Sequence, residues 1–385
     1  MNFRILILFV LLAITFSSCK KDHFTESYLR AGNAMVYSLD GNLLIAGYNY
    51  SSQTGFDGCL MKVTTDGNVV WSKTFGGSNT DGFYKLINTS DGGIVAVGFQ
   101  SQFSYGKPDL YIVKTNGDGV VDWEYNNNSI VITQGYSITE TPDKGFIACG
   151  YIQTDQGSDR DLFVIKVNSL GKEVWEKRYG TKTGAALSGA YDEAYAILPA
   201  ADSGFYLTGS IAGNVSCCGK SFLMKISAKG DSLWTKSYIE SIGYSMINTA
   251  DNNILICGSA YSNGQDAYLI KVDTLGVKIW ENTYGTTGYD YGTTVIQIPG
   301  GYAFTGISSK SSSTNQDVML YNITENGTKN WAATYGGSEV EQGFGLVRNE
   351  DGGYCITGLS NTGGSYIFLN RVSSDGTARW QKNLN

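Results

Sequence analysis

Lys166-Val167-Asn168-Ser169-Leu170-Gly171-Lys172-Glu173-Val174-Trp175 carries the pattern that decides the fold: a lysine, a glycine five residues on, and a tryptophan four residues after that. The glycine–tryptophan half recurs at every tryptophan in the chain: Gly67–Trp71, Gly119–Trp123, Gly171–Trp175, Gly230–Trp234, Gly276–Trp280, Gly327–Trp331 and Gly376–Trp380. The lysine stands at Lys62, Lys114, Lys166, Lys225 and Lys271, and Asn322 and Arg371 replace it in the last two copies. A second motif, a turn followed by an apolar run ending in glycine, keeps the same register. Its copies run from Asp40 to Gly47, Asp91 to Gly98, Asp143 to Gly150, Asp202 to Gly209, Asp251 to Gly258, Pro299 to Gly306 and Asp351 to Gly358. Repeats of this period signify propellers or solenoids.

Each unit reads as four strands, here called a to d. In the second, strand a covers about Phe83–Asn88, strand b Ile94–Phe99, strand c Leu110–Thr115 and strand d Val120–Tyr125. Short apolar or alternating runs bounded by Gly, Asn and Asp are strand and hairpin signals. The expected fold is therefore all-β: a single seven-bladed β-propeller over residues 31–385, with four antiparallel strands per blade. The first unit opens with a strand a and the last closes with a strand d. The ring is thus expected to close by side-chain packing rather than by a shared blade.

The first thirty residues read as an address. A basic start, an apolar run from Ile5 to Phe16 and Ser17-Ser18-Cys19 make a signal peptide over 1–18, too short to span a bilayer. Cys19 after two serines resembles a bacterial lipobox, which implies a diacylated cysteine and a lipidated tether over 19–30. Lys20-Lys21-Asp22 places no Asp directly after that cysteine. By resemblance this implies the outer membrane of the cell envelope, and the charged tripeptide resembles surface-export signals of Bacteroidota lipoproteins. Several acyl chains anchor a protein firmly.

The Lys-x-x-x-x-Gly-x-x-x-Trp pattern resembles the tryptophan-docking repeat of quinoprotein-like propellers, in which the tryptophan of an outer strand stacks on the neighbouring blade. That resemblance covers Gly32 to Asn385. It implies docking roles for Trp71, Trp123, Trp175, Trp234, Trp280, Trp331 and Trp380, and leaves function open, because propellers host many activities.

Charged residues make up only 16% of the chain and the net charge is −7, so no basic footprint for nucleic acid exists. The single histidine, His23, lies in the tether, which excludes Ser-His-Asp and Cys-His chemistry in the repeats. Asp57, Asp109, Asp161, Asp266 and Asp317 recur before strand c and read as turn caps. Cys59, Cys149, Cys257 and Cys355 read as small buried apolar residues. Cys217-Cys218 reads as an adjacent disulfide or as two separate thiols. An adjacent-cysteine ring also resembles a feature of some quinone-dependent dehydrogenases.

Loop lengths distinguish the two faces of the expected ring. The c–d segment keeps five residues in every unit, and the a–b turn is nearly constant. The b–c segment varies from 13 to 16 residues between the motif glycine and the lysine position, and the d–a connections vary more. Variable loops on a rigid scaffold carry function. The candidate ligand face therefore includes Tyr48, Tyr50, Tyr105, Tyr151, Tyr261, Tyr289 and Tyr291, whose rings suit sugars or a protein anchor. The expected function is non-catalytic binding or scaffolding in the cell envelope by a monomer, with a glycan or an envelope protein as partner and no metal or cofactor. The alternatives are a carboxylate-based glycan-active enzyme and a quinone-dependent dehydrogenase.

Overall fold

The turn residues act as the sequence implies. In the second repeat the Thr89 amide donates to the Gly93 carbonyl at 3.0 Å and the Gly92 amide to Thr89 at 2.9 Å. The residue before the closing pair takes a positive φ, +86° at Gly92, and Lys144, Ser203 and Asn252 hold the same position at +63°, +66° and +58°. The computed structural model describes residues 30–51, 55–101, 107–129, 131–153, 160–180, 191–212, 219–261, 265–309 and 315–384.

Strands fill the intervals between these turns. The first unit is β1 (Arg30–Tyr37), β2 (Leu43–Ser51), β3 (Gly55–Val63) and β4 (Val69–Phe75). The second is β5 (Asp81–Asn88), β6 (Ile94–Ser101), β7 (Pro108–Thr115) and β8 (Val121–Asn126). The third is β9 (Ile132–Glu140), β10 (Phe146–Gln153), β11 (Arg160–Val167) and β12 (Glu173–Tyr179). Then come β13 (Glu193–Pro199), β14 (Phe205–Ala212), β15 (Gly219–Ile226), β16 (Ser232–Asn248), β17 (Ile254–Ala260), β18 (Asp266–Val272) and β19 (Lys278–Tyr284). The chain ends with β20 (Tyr289–Ile298), β21 (Gly301–Ser309), β22 (Gln316–Thr324), β23 (Lys329–Tyr335), β24 (Glu341–Arg348), β25 (Tyr354–Ser360), β26 (Tyr366–Val372) and β27 (Ala378–Leu384). No helix occurs among the described residues. All ladders named between these strands are antiparallel and join sequence neighbours.

Where seven separate four-stranded sheets were expected, hydrogen bonding defines six: five of four strands and one of seven, β13 to β19. The cause is local. Glu240 still pairs with Lys220 of β15, and the next residue, Ser241, already pairs with Ala260 of β17. No loop residue remains between the two ladders, so β16 runs through both.

Strands b and c are buried along most of their length, as in β6 and β7, whereas strands d alternate, as in β4. Continuous apolar runs suit strands covered on both faces, and alternating ones suit strands with one face in water. The opening strands β1, β5, β9 and β13, the second half of β16, then β20 and β24 pack each against the next, and β24 packs back on β1. This closed cycle around a common axis is the arrangement of a β-propeller. The ends meet through side chains: Met35, Leu43 and Met61 share one apolar cluster with Cys355, Ile367, Leu369 and Leu384, and β1 and β27 belong to different sheets.

Each tryptophan is half-buried and lies against the c–d turn glycine of the following repeat. A β-carbon on Gly119 would sit 3.0 Å from the Trp71 ring and one on Gly171 2.5 Å from the Trp123 ring. The last tryptophan closes the circle, 3.0 Å from the same point on Gly67. The Trp123 indole N–H also donates to the Ser169 carbonyl at 3.0 Å. These glycines take φ near +75°, +73° at Gly119 and +72° at Gly171, so the turn requires a residue that tolerates the left-handed region as well as one without a side chain.

Gly171→Ala is therefore expected to destabilise the fold by about 2–3 kcal/mol, through left-handed strain and displacement of the indole. Trp123→Ala is expected to cost about 2–4 kcal/mol, near the lower end of large-aromatic losses because the ring is only half-buried. Urea denaturation of both variants checks these values.

Candidate functional site

The inner strands share one irregularity. Their register against strand b shifts at Gly32/Ala34, Phe83/Lys85, Ala194/Ala196, Gly243/Ser245, Gly292/Thr294 and Gly343/Gly345, and β9 skips a residue opposite Cys149/Gly150. Each bulge leaves one residue unpaired: Asn33, Tyr84, Tyr136, Tyr195, Tyr244, Thr293 and Phe344. A bulge bends its strand and re-aims the extra side chain. The bulged backbone presses onto strand b at the motif glycine. A β-carbon on Gly98 would lie 2.7 Å from the Phe83 Cα, and one on Gly258 2.8 Å from the Ile242 carbonyl carbon. The glycine that ends every apolar run is thus the seat of the bulge.

Four successive bulge residues are tyrosines in mutual contact. Tyr84 meets Tyr136 edge-on at 5.0 Å, Tyr136 stacks on Tyr195 at 4.9 Å, and Tyr195 meets Tyr244 edge-on at 5.2 Å. Burial raises the Tyr136 and Tyr195 hydroxyls well above the ordinary phenol range, so both remain neutral donors. The rest of the circle is polar or apolar without rings in series. Asn33 donates to the Phe83 carbonyl at 2.8 Å, Thr293 to Gly343 at 2.7 Å, and Phe344 is buried. The inner circle of bulge residues is therefore aromatic on one side only.

This arc was not anticipated from the sequence, although a signal exists. Six of the bulge residues stand fourteen positions before the strand-b glycine and Thr293 stands thirteen before Gly306.

The expected ligand-face tyrosines are distributed around the arc rather than joined in one patch. Tyr48 and Tyr291 are half-buried against Ala31, Ile307, Phe344 and Leu359. Tyr50 and Tyr289 are exposed, and Tyr50 contacts Phe56 edge-on at 5.2 Å. Tyr261 is half-buried, with its amide donating to the Glu240 carbonyl at 3.1 Å. The Tyr291 hydroxyl donates to the Gln265 side-chain oxygen at 2.7 Å. Tyr151 is buried, 5.8 Å from Tyr136 and beneath the Arg160 guanidinium at 4.2 Å. Arg160 pairs with Glu193, whose other oxygen accepts from Tyr195, and the Arg160 Nε donates to Gln153 at 3.1 Å. This network holds the Tyr195 ring in place. Tyr105, Cys217, Cys218 and Cys19 lie outside the described residues.

Carboxylates gather between units beside the d–a connections. A β-carbon on Gly285 would lie 2.6 Å from oxygens of both Asp266 and Asp290, and one on Gly336 would meet Asp317 and Glu341. Glu341 accepts from the Gly337 amide at 3.0 Å, Asp290 from Thr286 at 2.6 Å, and Asp81 from Gly77 at 2.6 Å and Ser101 at 2.9 Å. Asp109 accepts from the Ser129 amide at 3.2 Å. These contacts fasten loop backbone, in keeping with turn capping. Burial pushes Asp81 up to about 6 against its two amide donors, with the Asp57 charge adding to the rise. Burial does the same at Asp109, also to about 6, and raises Asp266 with help from Asp290.

At the tight-turn face the two sequence motifs join. The repeat lysine pairs with the turn aspartate in Lys62–Asp40 (2.6 Å), Lys114–Asp91 (3.1 Å), Lys166–Asp143 (2.5 Å), Lys225–Asp202 (2.5 Å) and Lys271–Asp251 (2.7 Å), and Arg371–Asp351 (2.7 Å) follows the same rule. In the sixth unit Pro299 and Asn322 replace both partners together, which is the sequence signal of the pairing. The Thr89 hydroxyl, with lesser help from Lys114, lowers Asp91 to about 2. The lysine ammonium is the leading cause that lowers Asp40, Asp143 and Asp202. Cys59, Cys149, Cys257 and Cys355 are free thiols buried in the core. Among the described residues no group of three or more His, Cys, Asp or Glu side chains could hold a metal.

No protein-family model matches the chain, and no curated protein matches it by sequence. Solved β-propellers match its fold. The periplasmic gluconolactonase of Pseudomonas aeruginosa superposes with a TM-score of 0.56 at 11% identity, over 89% of this chain and 96% of that one. The quinohemoprotein alcohol dehydrogenase of Comamonas testosteroni gives 0.55 at 9% identity, over 92% and 68%. Sqt1 of Chaetomium thermophilum, solved with the N-terminus of ribosomal protein L10, gives 0.52 at 10%, over 93% and 89%. Likeness at this identity concerns the fold alone.

The two carboxylate groups give stability opposite slopes with pH. Asp81 and Asp109 bind protons near pH 6 when folded and near 4 when unfolded, so stability rises as pH falls through that interval. The turn aspartates are lowered, so their contribution is present above about 4 and is lost as pH falls toward 2. Thermal denaturation across pH 2–8 is expected to show maximal stability between about pH 4 and 5. A maximum at neutral pH would contradict this balance.

Proposed function

We propose that this chain is a lipid-anchored, seven-bladed binding propeller of the cell envelope, with the aromatic channel and its variable-loop mouth as the contact surface. Seven blades are supported by the closed cycle of opening strands, in which the first half of β16 belongs to the fourth repeat and its second half to the fifth. In this reading residues 1–18 are removed, Cys19 carries the lipid, residues 19–30 form the tether and the protein works as a monomer.

The observation that carries the binding reading is the aromatic arc. Rings in series, held by bulges on strands rather than by loops, form a rigid surface with apolar faces and polar tips. Such rings bind at low cost in conformational entropy and dominate interface energetics. A carboxylate-based hydrolase needs acidic groups free to act on substrate. Here Asp81 and Glu341 accept backbone amides, Asp290 accepts the Thr286 amide through one oxygen, and Glu193 pairs with Arg160. The solved propellers of similar fold are named for a lactonase, an alcohol dehydrogenase and a protein bound to a peptide terminus, three roles on one scaffold. The partner expected from the aromatic surface is a glycan.

Two measurements test the proposal. Full-length protein is screened on a glycan array, and Tyr50→Ala and Tyr289→Ala are expected to weaken binding about tenfold with thermal stability nearly unchanged, because both rings are exposed. Gly41→Asn, at the opposite turn face, is expected to leave binding intact. In fractionation, Cys19→Ala is expected to move the protein from the membrane pellet to the soluble fraction. A mutant that still pellets after a high-salt wash refutes the lipid anchor.

A further inference from the structure

We infer that the central channel takes an acidic sugar residue, its ring against the Tyr84–Tyr136–Tyr195 arc and its carboxylate on Lys85; this rests on the glycan-binding reading above. Lys85 follows the bulge residue Tyr84 on β5. The equivalent positions elsewhere hold Ala34, Ser137, Ala196, Ser245, Thr294 and Gly345, all small. At three of these positions the side chain bonds the backbone of the next inner strand. The Ser137 hydroxyl accepts from the Ile197 amide at 3.4 Å, that of Ser245 from Val295 at 3.4 Å, and Thr294 donates to the Phe344 carbonyl at 2.5 Å. Lys85 alone places a long charged side chain in this ring.

Lys85 is half-buried, and among the described residues it makes no hydrogen bond, ion pair or ring contact. The contrast within the molecule is sharp. Every lysine at the repeat position, Lys62, Lys114, Lys166, Lys225 and Lys271, is paired with an aspartate. Burial also lowers the Lys85 ammonium from its usual range. An uncompensated, partly desolvated cation costs stability, and a bound anion supplies the missing charge. One residue away begins the arc of flat rings, whose hydroxyls at Tyr136 and Tyr195 stay neutral. A pyranose ring bearing a carboxylate presents an apolar face and an anion one bond apart, which matches this juxtaposition.

The test uses D-glucuronate and D-glucose, which differ at C6 only, with sodium sulfate as a third probe, titrated into the full chain by ligand-observed NMR. Glucuronate is expected to bind about tenfold tighter than glucose, the scale of one charge-assisted hydrogen bond. Lys85→Met is expected to erase that preference while melting at or above the wild-type temperature, and Lys85→Arg to keep it. Lys85→Gln replaces the Met variant should that one misfold. Tyr136→Leu is expected to weaken both sugars. Equal binding of the two sugars, or a preference that survives Lys85→Met, overturns the role of Lys85 and leaves the channel as a neutral-glycan site. Sulfate binding as tight as glucuronate overturns the sugar assignment in favour of a bare anion site. Binding of neither sugar overturns the inference, and array binding that still depends on Tyr50 and Tyr289 then keeps the wider reading alive at the mouth.

Discussion

The indole of each outer strand lies on the c–d turn glycine of the next repeat, and Trp380 meets Gly67 in the same way, so the contact closes on itself. Both partners are constrained. The glycine must adopt a positive φ and must lack a β-carbon, and the tryptophan must sit at a fixed distance along strand d. A turn that has to present such a glycine cannot change length, which explains the invariant five-residue spacing from lysine position to glycine. The ends are held by the same means. Lys382, two residues after Trp380, donates to the Asp66 carbonyl at 2.5 Å and to Asn68 at 3.2 Å in the first c–d turn. With each blade bound to its neighbour on the outside, the inner strands are free to carry irregularities without opening the ring.

Those irregularities mark the boundary of what sequence reading reached. Tryptophan spacing, the motif glycines and the apolar runs located the four strands of the second repeat to within a few residues. Strand b of the second repeat, read as Ile94–Phe99, spans Ile94–Ser101. The burial of Cys59, Cys149, Cys257 and Cys355 was legible from their positions in strands b and c. The continuous β16 was not, because a connection of zero residues leaves no loop signal, only the short interval between Trp234 and Trp280. The tyrosine arc was also missed. Alternation assigns a strand residue to one face or the other, and a bulge breaks the alternation at the residue that matters. Of the tyrosines expected at the ligand face, Tyr151 is instead buried and packs against Tyr136. The lysine–aspartate pairing escaped because its members belong to different motifs, and only the joint loss at Pro299 and Asn322 ties them together.

Charge separates the two ends of the ring. At the tight-turn face the a–b turn aspartates are exposed, paired with a lysine or, at Asp351, with Arg371, and held below their usual range. At the variable-loop face carboxylates are buried, accept backbone amides and are raised at Asp81, Asp109 and Asp266. The first arrangement pins hairpins to the neighbouring strand and is open to salt screening. The second fastens loops from beneath, where water and salt have little access. Two different uses of aspartate thus follow from one repeat: a lysine or threonine partner lowers the exposed set, and burial raises the other.

A ring of equivalent units has no reason to bind a single asymmetric ligand at its axis unless its inner positions differ. They do differ here, and they differ on strands. The bulge positions read Asn, Tyr, Tyr, Tyr, Tyr, Thr, Phe around the channel, and the next positions read Ala, Lys, Ser, Ala, Ser, Thr, Gly. Substitution at these sites leaves the backbone frame untouched, because the strand-b glycine already accommodates the bulge whatever side chain it carries. Loops can vary in length only by moving their own backbone, whereas a bulge residue varies in chemistry on a fixed support. Sites built on strands are more exact than sites built on loops. The physical division of labour is therefore between an outer ring of tryptophan contacts that must stay the same and an inner ring of bulges that is free to differ.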